Sequence, residues 1–329
     1  MKRSYRMMIV ITFIAFFCFC IAIVEVSRAQ PYPSKPIELI VPAAPGSATD
    51  AGGRIIATYL SPKWGVSLNV VSKAGGQGIT GQLYVAESRP DGYTLLVDAH
   101  WGYPMLGLVI KDTPKILWDR TFVAKVFQVP VFFIVRADAP WKTLSEVLDY
   151  ARKNQKTFKF AAGVLTSIDN FSISQLLVTA GIDPGPGRVI FGEGHAPSLA
   201  ALLGGHVDFG IGMIPDIKSL YPSKIRALAV TAKERIGIFP DIPTTREVGF
   251  PGASMVGWYG ISGPPKLPEN IVEKWEKDLE HASRDEKFKE LGAKVGHLIR
   301  FVGRKEMQEE VKEEQKICQD IVEKSKQIK

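Results

Sequence analysis

Residues Ile37–Arg54, IELIVPAAPGSATDAGGR, read as a buried strand, a tight turn and the opening of a helix. Ile37, Leu39, Ile40 and Val41 form a short apolar run bounded by prolines, the pattern of a strand covered on both faces in a parallel sheet. Pro42, Pro45 and Gly46 turn the chain, and Ser47, Thr49 and Asp50 are each good helix N-caps. Free backbone N–H groups and the positive end of a helix dipole then converge outside the carboxyl end of a strand, where open α/β sheets bind anions. The same residues also suit an ordinary strand-to-helix connection whose hydroxyls only cap the helix.

The pattern recurs at once. Leu68–Val71 is a second strand leading into Ala74-Gly75-Gly76-Gln77-Gly78-Ile79-Thr80-Gly81, and a helical stretch follows from Gln82 to Ser88. Pro90-Asp91-Gly92 turns the chain into a third strand, Tyr93–Asp98. Strands alternating with helices predict a parallel sheet, with the second glycine loop beside the first at one edge. Gly76-x-Gly78-x-x-Gly81 matches the dinucleotide fingerprint, and Asp98 stands where a ribose-binding acid is expected. The match falls on the second strand–helix unit rather than the first, and the glycines serve equally well as a nest of exposed amides for a carboxylate.

At 329 residues the chain predicts about two domains. Apolar residues at 46% and charged residues at 23% are ordinary for a globular protein. The formal charge of +7 falls to +4, 37 basic against 33 acidic residues, once Lys2, Arg3, Arg6, Arg28 and Glu25 are set aside. So small and dispersed an excess argues against a nucleic-acid partner.

Met1–Ala29 has the build of a signal peptide: Lys2, Arg3 and Arg6, then the apolar run Met7–Val24, then Ser27-Arg28-Ala29 as a small-x-small cleavage site before Gln30. The alternative is an uncleaved anchor, since that run sits at the lower limit of a membrane span. Cys18 and Cys20 each follow Phe where a lipid-attachment site needs a small residue. After cleavage Cys318 alone remains, so no internal disulfide forms; it shares a helical stripe with Met307, Val311, Ile321 and Val322 and reads as a small buried hydrophobe.

Phe122–Arg136 is a long apolar run broken by Pro130, predicted to leave one domain and enter a second near Gln128–Pro130. A helix over Trp141–Asn154 carries the capping box Thr143/Glu146. Strands are expected at Phe158–Ala162, Arg188–Phe191, Val207–Ile211 and Ile225–Thr231, with helices at Asn170–Ala180 and Ser198–Leu203. Met255–Ser262 reads as a strand returning to the first domain; the remainder is expected to be helical, from Pro268 to Ala282 and over Lys305–Lys326. Two crossings between two α/β lobes predict a hinge with a ligand cleft.

With these residues placed, the mature chain resembles the substrate-binding proteins of tripartite tricarboxylate transporters, the Bug family. The resemblance is carried by Tyr32-Pro33-Ser34-Lys35-Pro36-Ile37, Val41-Pro42-x-x-Pro45-Gly46 with Thr49-Asp50, and Pro90-Asp91-Gly92-Tyr93-Thr94-Leu95. Further along it is carried by Ala196-Pro197, Leu202-Leu203-Gly204-Gly205-x-Val207-Asp208, Arg226–Thr231 and Pro240-Asp241-Ile242-Pro243-Thr244.

The resemblance implies a two-domain, type II-like periplasmic binding protein of α/β class, each domain a mixed, mostly parallel sheet with flanking helices and the ligand cleft between them. The implied division is 1–29 signal peptide, 30–130 and 251–329 first domain, and 131–250 second domain. It implies a monomer with no catalysis and no cofactor, which hands a small carboxylate to a membrane permease of one large and one small component. The implied ligand-binding residues are Pro45, Gly46, Ser47, Thr49 and Asp50, then Gly75, Gly76, Gln77 and Gly78. From the second domain they are Ser167, Asn170, Gly194, His195, Ala196 and Asp208. The first loop reads Gly-Ser-Ala where the family has more glycine, Lys73-Ala74-Gly75 replaces Arg-Pro-Gly, Thr166 replaces glycine and Asn170 replaces histidine.

Two other readings stand beside this one. The protein could present its ligand to a sensor instead of a permease. Enzyme motifs of the G-x-S-x-G or H-E-x-x-H type are absent, and the one arguable metal cluster is Glu193, His195, His206 and Asp208, residues that equally suit turns. Trp101, Tyr103 and Trp258 are candidates for the cleft lining, or for the core.

Overall fold

The computed structural model describes residues 31–100, 113–163, 167–185, 187–189 and 195–327. The segment before residue 31, where a signal peptide and its cleavage site are expected, and Trp101, Tyr103, Glu193 and Gly194 lie outside the described residues. The architecture below belongs to Lys35–Lys329, one compact unit. Its first part alternates as expected: β1 (Ile37–Val41), α1 (Ala48–Trp64), β2 (Leu68–Ser72), α2 (Ile79–Ala86) and β3 (Thr94–Ala99), followed by β4 (Thr121–Val129). The next stretch holds β5 (Phe132–Arg136), α3 (Leu144–Lys153), β6 (Phe160–Ala161), α4 (Ile168–Thr179), β7 (Arg188–Val189), α5 (His195–Leu203), β8 (Gly210–Gly212), α6 (Ile214–Leu220) and β9 (Ile225–Val230). The chain closes with β10 (Gly257–Gly263), α7 (Glu269–Arg284), α8 (Glu286–Lys294), β11 (Leu298–Gly303) and α9 (Arg304–Gln327).

Six strands form one sheet in the order β11-β4-β10-β3-β1-β2. β1 pairs in parallel with both β2 and β3, while β10 lies antiparallel between β3 and β4. β1 to β4 therefore all point the same way, and the loops after β1, β2 and β3 leave one edge together. Ile37, Leu39, Ile40 and Val41 are all buried, as a strand covered on both faces requires.

The chain leaves this sheet through Pro130 and Val131, where β4 gives way to β5. Val131 and Thr231 bond to each other through Val131 N–H to Thr231 Oγ1 at 3.2 Å and Thr231 N–H to the Val131 carbonyl at 3.0 Å, fastening the crossing strand to the end of β9. In the second lobe β5 lies antiparallel between β8 and β9, and β6 pairs in parallel with β7. A parallel bridge between Phe160 and Phe209 joins the two groups, so β6, β7, β8 and β9 run one way and β5 the other. The carboxyl ends of β6, β7 and β8 feed the amino ends of α4, α5 and α6, so residues that open those helices share one edge.

Two elements of the C-terminal part depart from the expected helix. Leu298–Gly303 is an edge strand, antiparallel to β4, and Glu286–Lys294 is a separate short helix capped by Asp285. Gly296, at φ +77°, makes the turn that frees β11 from the helix before it. The apolar stripe of α9 also serves two cores. Met307 and Val311 pack with Phe122, Trp258 and Val302 beside the large sheet, whereas Cys318 and Ile321 pack with Phe171 on α4. One long helix thus straps both lobes. Burial raises the Cys318 thiol pKa, consistent with its reading as an inert hydrophobe.

Candidate functional site

The first loop is locked from below. Ser47 is the N-cap of α1 and accepts from Asp50 N–H at 3.2 Å. Asp50, in the first turn, is 2% exposed; its Oδ2 accepts from Gly46 N–H at 3.0 Å and from Arg54 Nε at 2.8 Å. Burial opposes its charge, but the Arg54 guanidinium and the Gly46 N–H outweigh this and hold its carboxyl below the usual range. Asp50 therefore shapes the loop from beneath. Among the described residues no hydrogen bond uses the N–H groups of Ala48 and Thr49, which are among the orphan donors of the helix start. Asp50→Ala is expected to cost about 1–3 kcal/mol of stability, the range for orphaning bonded partners of a buried group; urea unfolding checks it, and an unchanged midpoint would deny the lock.

The second loop sits beside it. Gly75, Gly76, Gln77 and Gly78 all have positive φ, at 121°, 55°, 56° and 90°, and Gly78 N–H closes the turn on the Gly75 carbonyl at 2.9 Å. Gly81, the third glycine of the fingerprint, is where α2 meets the first loop: a Cβ there would lie 2.8 Å from Pro42 Cα and from the Lys73 carbonyl oxygen. Asp98, the residue in the ribose position, is buried and bonded by Arg120 Nη1 at 2.9 Å and Ala99 N–H at 2.9 Å. The fingerprint thus packs two loops together, and its acid is engaged in an internal ion pair.

On the second lobe, Ser167 caps α4 and accepts from Asn170 N–H at 3.2 Å, leaving Asn170 buried at the first turn. His195 opens α5 and is held between two carboxylates. Its Nδ1 is 3.1 Å from Asp169 Oδ2 and its Nε2 is 2.9 Å from Asp216 Oδ2, which also accepts from Met213 N–H at 2.7 Å. Burial disfavours the charged ring, but the two carboxylates overcome it and push the imidazole up to about 10. The sequence singled out His195 but gave no sign of its two carboxylate partners, Asp169 and Asp216.

Tyr259, on β10, links the two walls. It bonds to Thr49 and stacks on His297 at 5.1 Å, and its hydroxyl is raised in pKa by burial and by the nearby charge of Asp169. His297 in turn bonds the Ala48 carbonyl through Nε2 at 2.9 Å, fixing the start of α1. Tyr259 thus bonds to the first loop through Thr49 and lies within reach of the Asp169 charge.

Asp208 does not join this group. It precedes β8, at the opposite edge of the small sheet, where its Oδ2 accepts from Lys159 N–H at 2.8 Å. His206 follows the far end of α5 from His195, so a nine-residue helix, roughly 13 Å by its rise, separates the two histidines. Ala196 is exposed on the first turn of α5. Trp258 belongs to the core: it is buried, its Nε1 bonds Glu314 Oε2 at 2.7 Å, and Lys125 Nζ stands 4.5 Å from its ring.

An α/β fold with a large mixed sheet, a smaller second group of strands and glycine loops at the large sheet's edge is the architecture of a solute-binding receptor. The chain belongs to the tripartite tricarboxylate transporter receptor family, whose model matches residues 53–328. It is 31% identical over 281 residues to the UPF0065 protein in the tcbD-tcbE intergenic region of Pseudomonas sp. (strain P51), covering 82% of this chain and 81% of that one. Among solved structures it is similar to the periplasmic binding protein BugD, at 26% identity and TM-score 0.76 over 89% of this chain and 98% of that one. It is also similar to MatC from Rhodopseudomonas palustris with bound malate, at 27% identity and TM-score 0.76 over 88% and 100%. Its fold is that of these periplasmic binding proteins, and the family is one of substrate receptors.

Proposed function

We propose that this chain is exported to the periplasm, cleaved after Ala29, and works there as a monomeric receptor that captures a small carboxylate between a first domain (30–130 with 251–329) and a second (131–250). It then delivers the acid to a permease of one large and one small membrane component. The observation that carries this reading is the pairing of two amide-rich loops, 45–50 and 75–78, at the edge of one sheet, with Tyr259 bonding the first and lying within reach of the Asp169 charge on the other lobe. The orphan N–H groups of a helix start, here Ala48 and Thr49, beside a glycine loop of positive φ are suited to a carboxylate. The malate-bound relative is in keeping with that class of ligand. Pro45, Gly46, Ser47 and Thr49 shape one half of the cradle and Gly75, Gly76, Gln77 and Gly78 the other; Ser167, Asn170, Gly194, His195 and Ala196 read the remainder of the ligand as the lobes close.

A thermal-shift series with malate, adipate, citrate, aspartate and glutamate tests the reading, with NAD and zinc as controls. At least one acid is expected to raise Tm with concentration. A rise with NAD or zinc alone would replace the receptor reading with an enzymatic one.

A further inference from the structure

The amino half of α9 is rooted in the first lobe. Met307 and Val311, both fully buried, pack with Phe122, Trp258 and Val302. Glu310 Oε2 and Glu314 Oε1 accept from Lys125 Nζ on β4 at 3.0 and 2.7 Å. Glu314 Oε2 also accepts from Trp258 Nε1 at 2.7 Å, and Arg300 on β11 donates to Glu310 Oε2 at 3.1 Å. The half beyond Glu314 is held differently. Over residues 315–324 Cys318 and Ile321 alone are buried, and Asp320 and Lys324 pair with each other along the exposed face at 3.2 Å. Among the described residues, no hydrogen bond or ion pair ties 315–324 to another element. The contact there is apolar: Cys318 and Ile321 against Phe171, with Val178 and Met255 at its margin.

Phe171 belongs to α4, in the second lobe. Ile168, Ile173, Leu176 and Leu177 of the same helix lie in that lobe's own core, so α4 meets its own lobe with one set of side chains and α9 with Phe171 and Val178. Phe171 directly follows Asn170, and Asp169 before it lies 3.1 Å from His195 Nδ1. Met255, on the returning crossing segment, donates its N–H to Gln175 Oε1 of α4 at 3.0 Å and closes the cluster. A helix rooted in one lobe thus bears, through two side chains, on the turn of the other lobe that carries Asp169 and Asn170. A segment with so few buried contacts and no polar tie to its support opens at a lower free energy than the core.

We propose that the last turns of α9, from residue 315 on, are a releasable strap: docked on Phe171 they fix the amino end of α4, and they detach as a unit while both lobes stay folded. Asn170, which the receptor reading places at the ligand, is then positioned from the first lobe as well as from its own. The break falls after Glu314 because the Lys125 network holds the helix up to that residue, and stripping a partner from a buried ion pair is costly.

Cys318, the single cysteine of the chain from Gln30 onward, reports on the strap directly. Its labelling by dithionitrobenzoate in sub-denaturing urea is expected to reveal an opening whose urea dependence is at most about a third of that for global unfolding followed by circular dichroism. Val311→Cys in a Cys318→Ala background, which places the thiol in the root, is expected to follow the global slope. A global slope at Cys318 in the wild type overturns the proposal whatever the root variant does, and a local slope at the root as well overturns a break after Glu314. Ile321→Asp is expected to speed both Cys318 labelling and amide exchange over Ile168–Ile173 by about tenfold or more, while β1 exchanges as in the wild type. Ile321→Ala, the milder variant, is expected to shift both rates in the same direction. Unchanged exchange in α4, or equal acceleration in β1, overturns the positioning role. No ligand enters either measurement, so failure here leaves the carboxylate-receptor reading standing.

Discussion

Replacing Arg120 by leucine is expected to lower stability by about 3–5 kcal/mol, the usual result of stripping one partner from a buried ion pair. Arg120 and Asp98 are 4% and 1% exposed in their side chains and 2.9 Å apart. The guanidinium also bonds the Leu117 carbonyl and Gln82 Oε1. Asp98 Oδ2 and Gln82 Nε2 already lack partners, so nothing nearby takes over the lost charge. Urea midpoints measure the effect, and the double variant Asp98→Asn/Arg120→Leu is expected to recover the part due to the unpaired charge. A loss below about 1 kcal/mol for the single variant would mean that water reaches Asp98.

The second large effect is a dependence of stability on pH. His195 is raised from its ordinary value to about 10 in the folded protein. A raised histidine stabilises fully below its unfolded pKa of about 6.5, and that stabilisation is lost as pH climbs toward 10, at a slope of up to about 1.4 kcal/mol per pH unit. His100 works in the other direction: lowered to about 3, it contributes fully above about pH 6.5 and costs stability as pH falls toward 3. Stability measured by chemical denaturation is therefore expected to peak near about pH 6.5. His195→Gln is expected to destabilise at neutral pH and to flatten the alkaline limb; an unchanged alkaline limb in that variant would show that the carboxylates do not hold the ring charged.

What was legible in the sequence is what local chemistry decides. Ser47 and Thr143 cap their helices through bonds three residues away, Pro268 precedes α7, and Pro130 breaks the apolar run where the chain changes sheets. The carboxyl-end loops followed from strand–helix alternation alone. β11 escaped because Arg300 interrupts a six-residue strand that is only partly buried at a sheet edge, so neither a continuous apolar run nor a clean alternation marks it.

The charged groups escaped for another reason. Lys125 is almost fully buried and is neutralised by Glu310 and Glu314, 185 and 189 residues downstream. Asp169 and Asp216 lie 26 and 21 residues from His195 on separate helices, and only the folding of three strand ends to one edge brings them together. Spacing rules describe neighbours on one element and are silent about such clusters. Asp50 shows the converse: its type and place suit a cap, but the cap is Ser47, and Asp50 serves the loop from beneath.

The central claim, a carboxylate held by the amides of the two glycine loops, is tested most directly by calorimetry on the wild type and Gly76→Val with malate, adipate, citrate and the amino acids. Gly76 has φ +55° and its would-be Cβ meets only ordinary contacts, Ile79 Cβ at 3.6 Å being the nearest, so the valine distorts the loop through backbone strain of roughly 1–2 kcal/mol rather than through a clash with the core. Saturable one-site binding of an acid by the wild type, lost in Gly76→Val while the variant still unfolds cooperatively, is the predicted result; equal affinity in both proteins would contradict it.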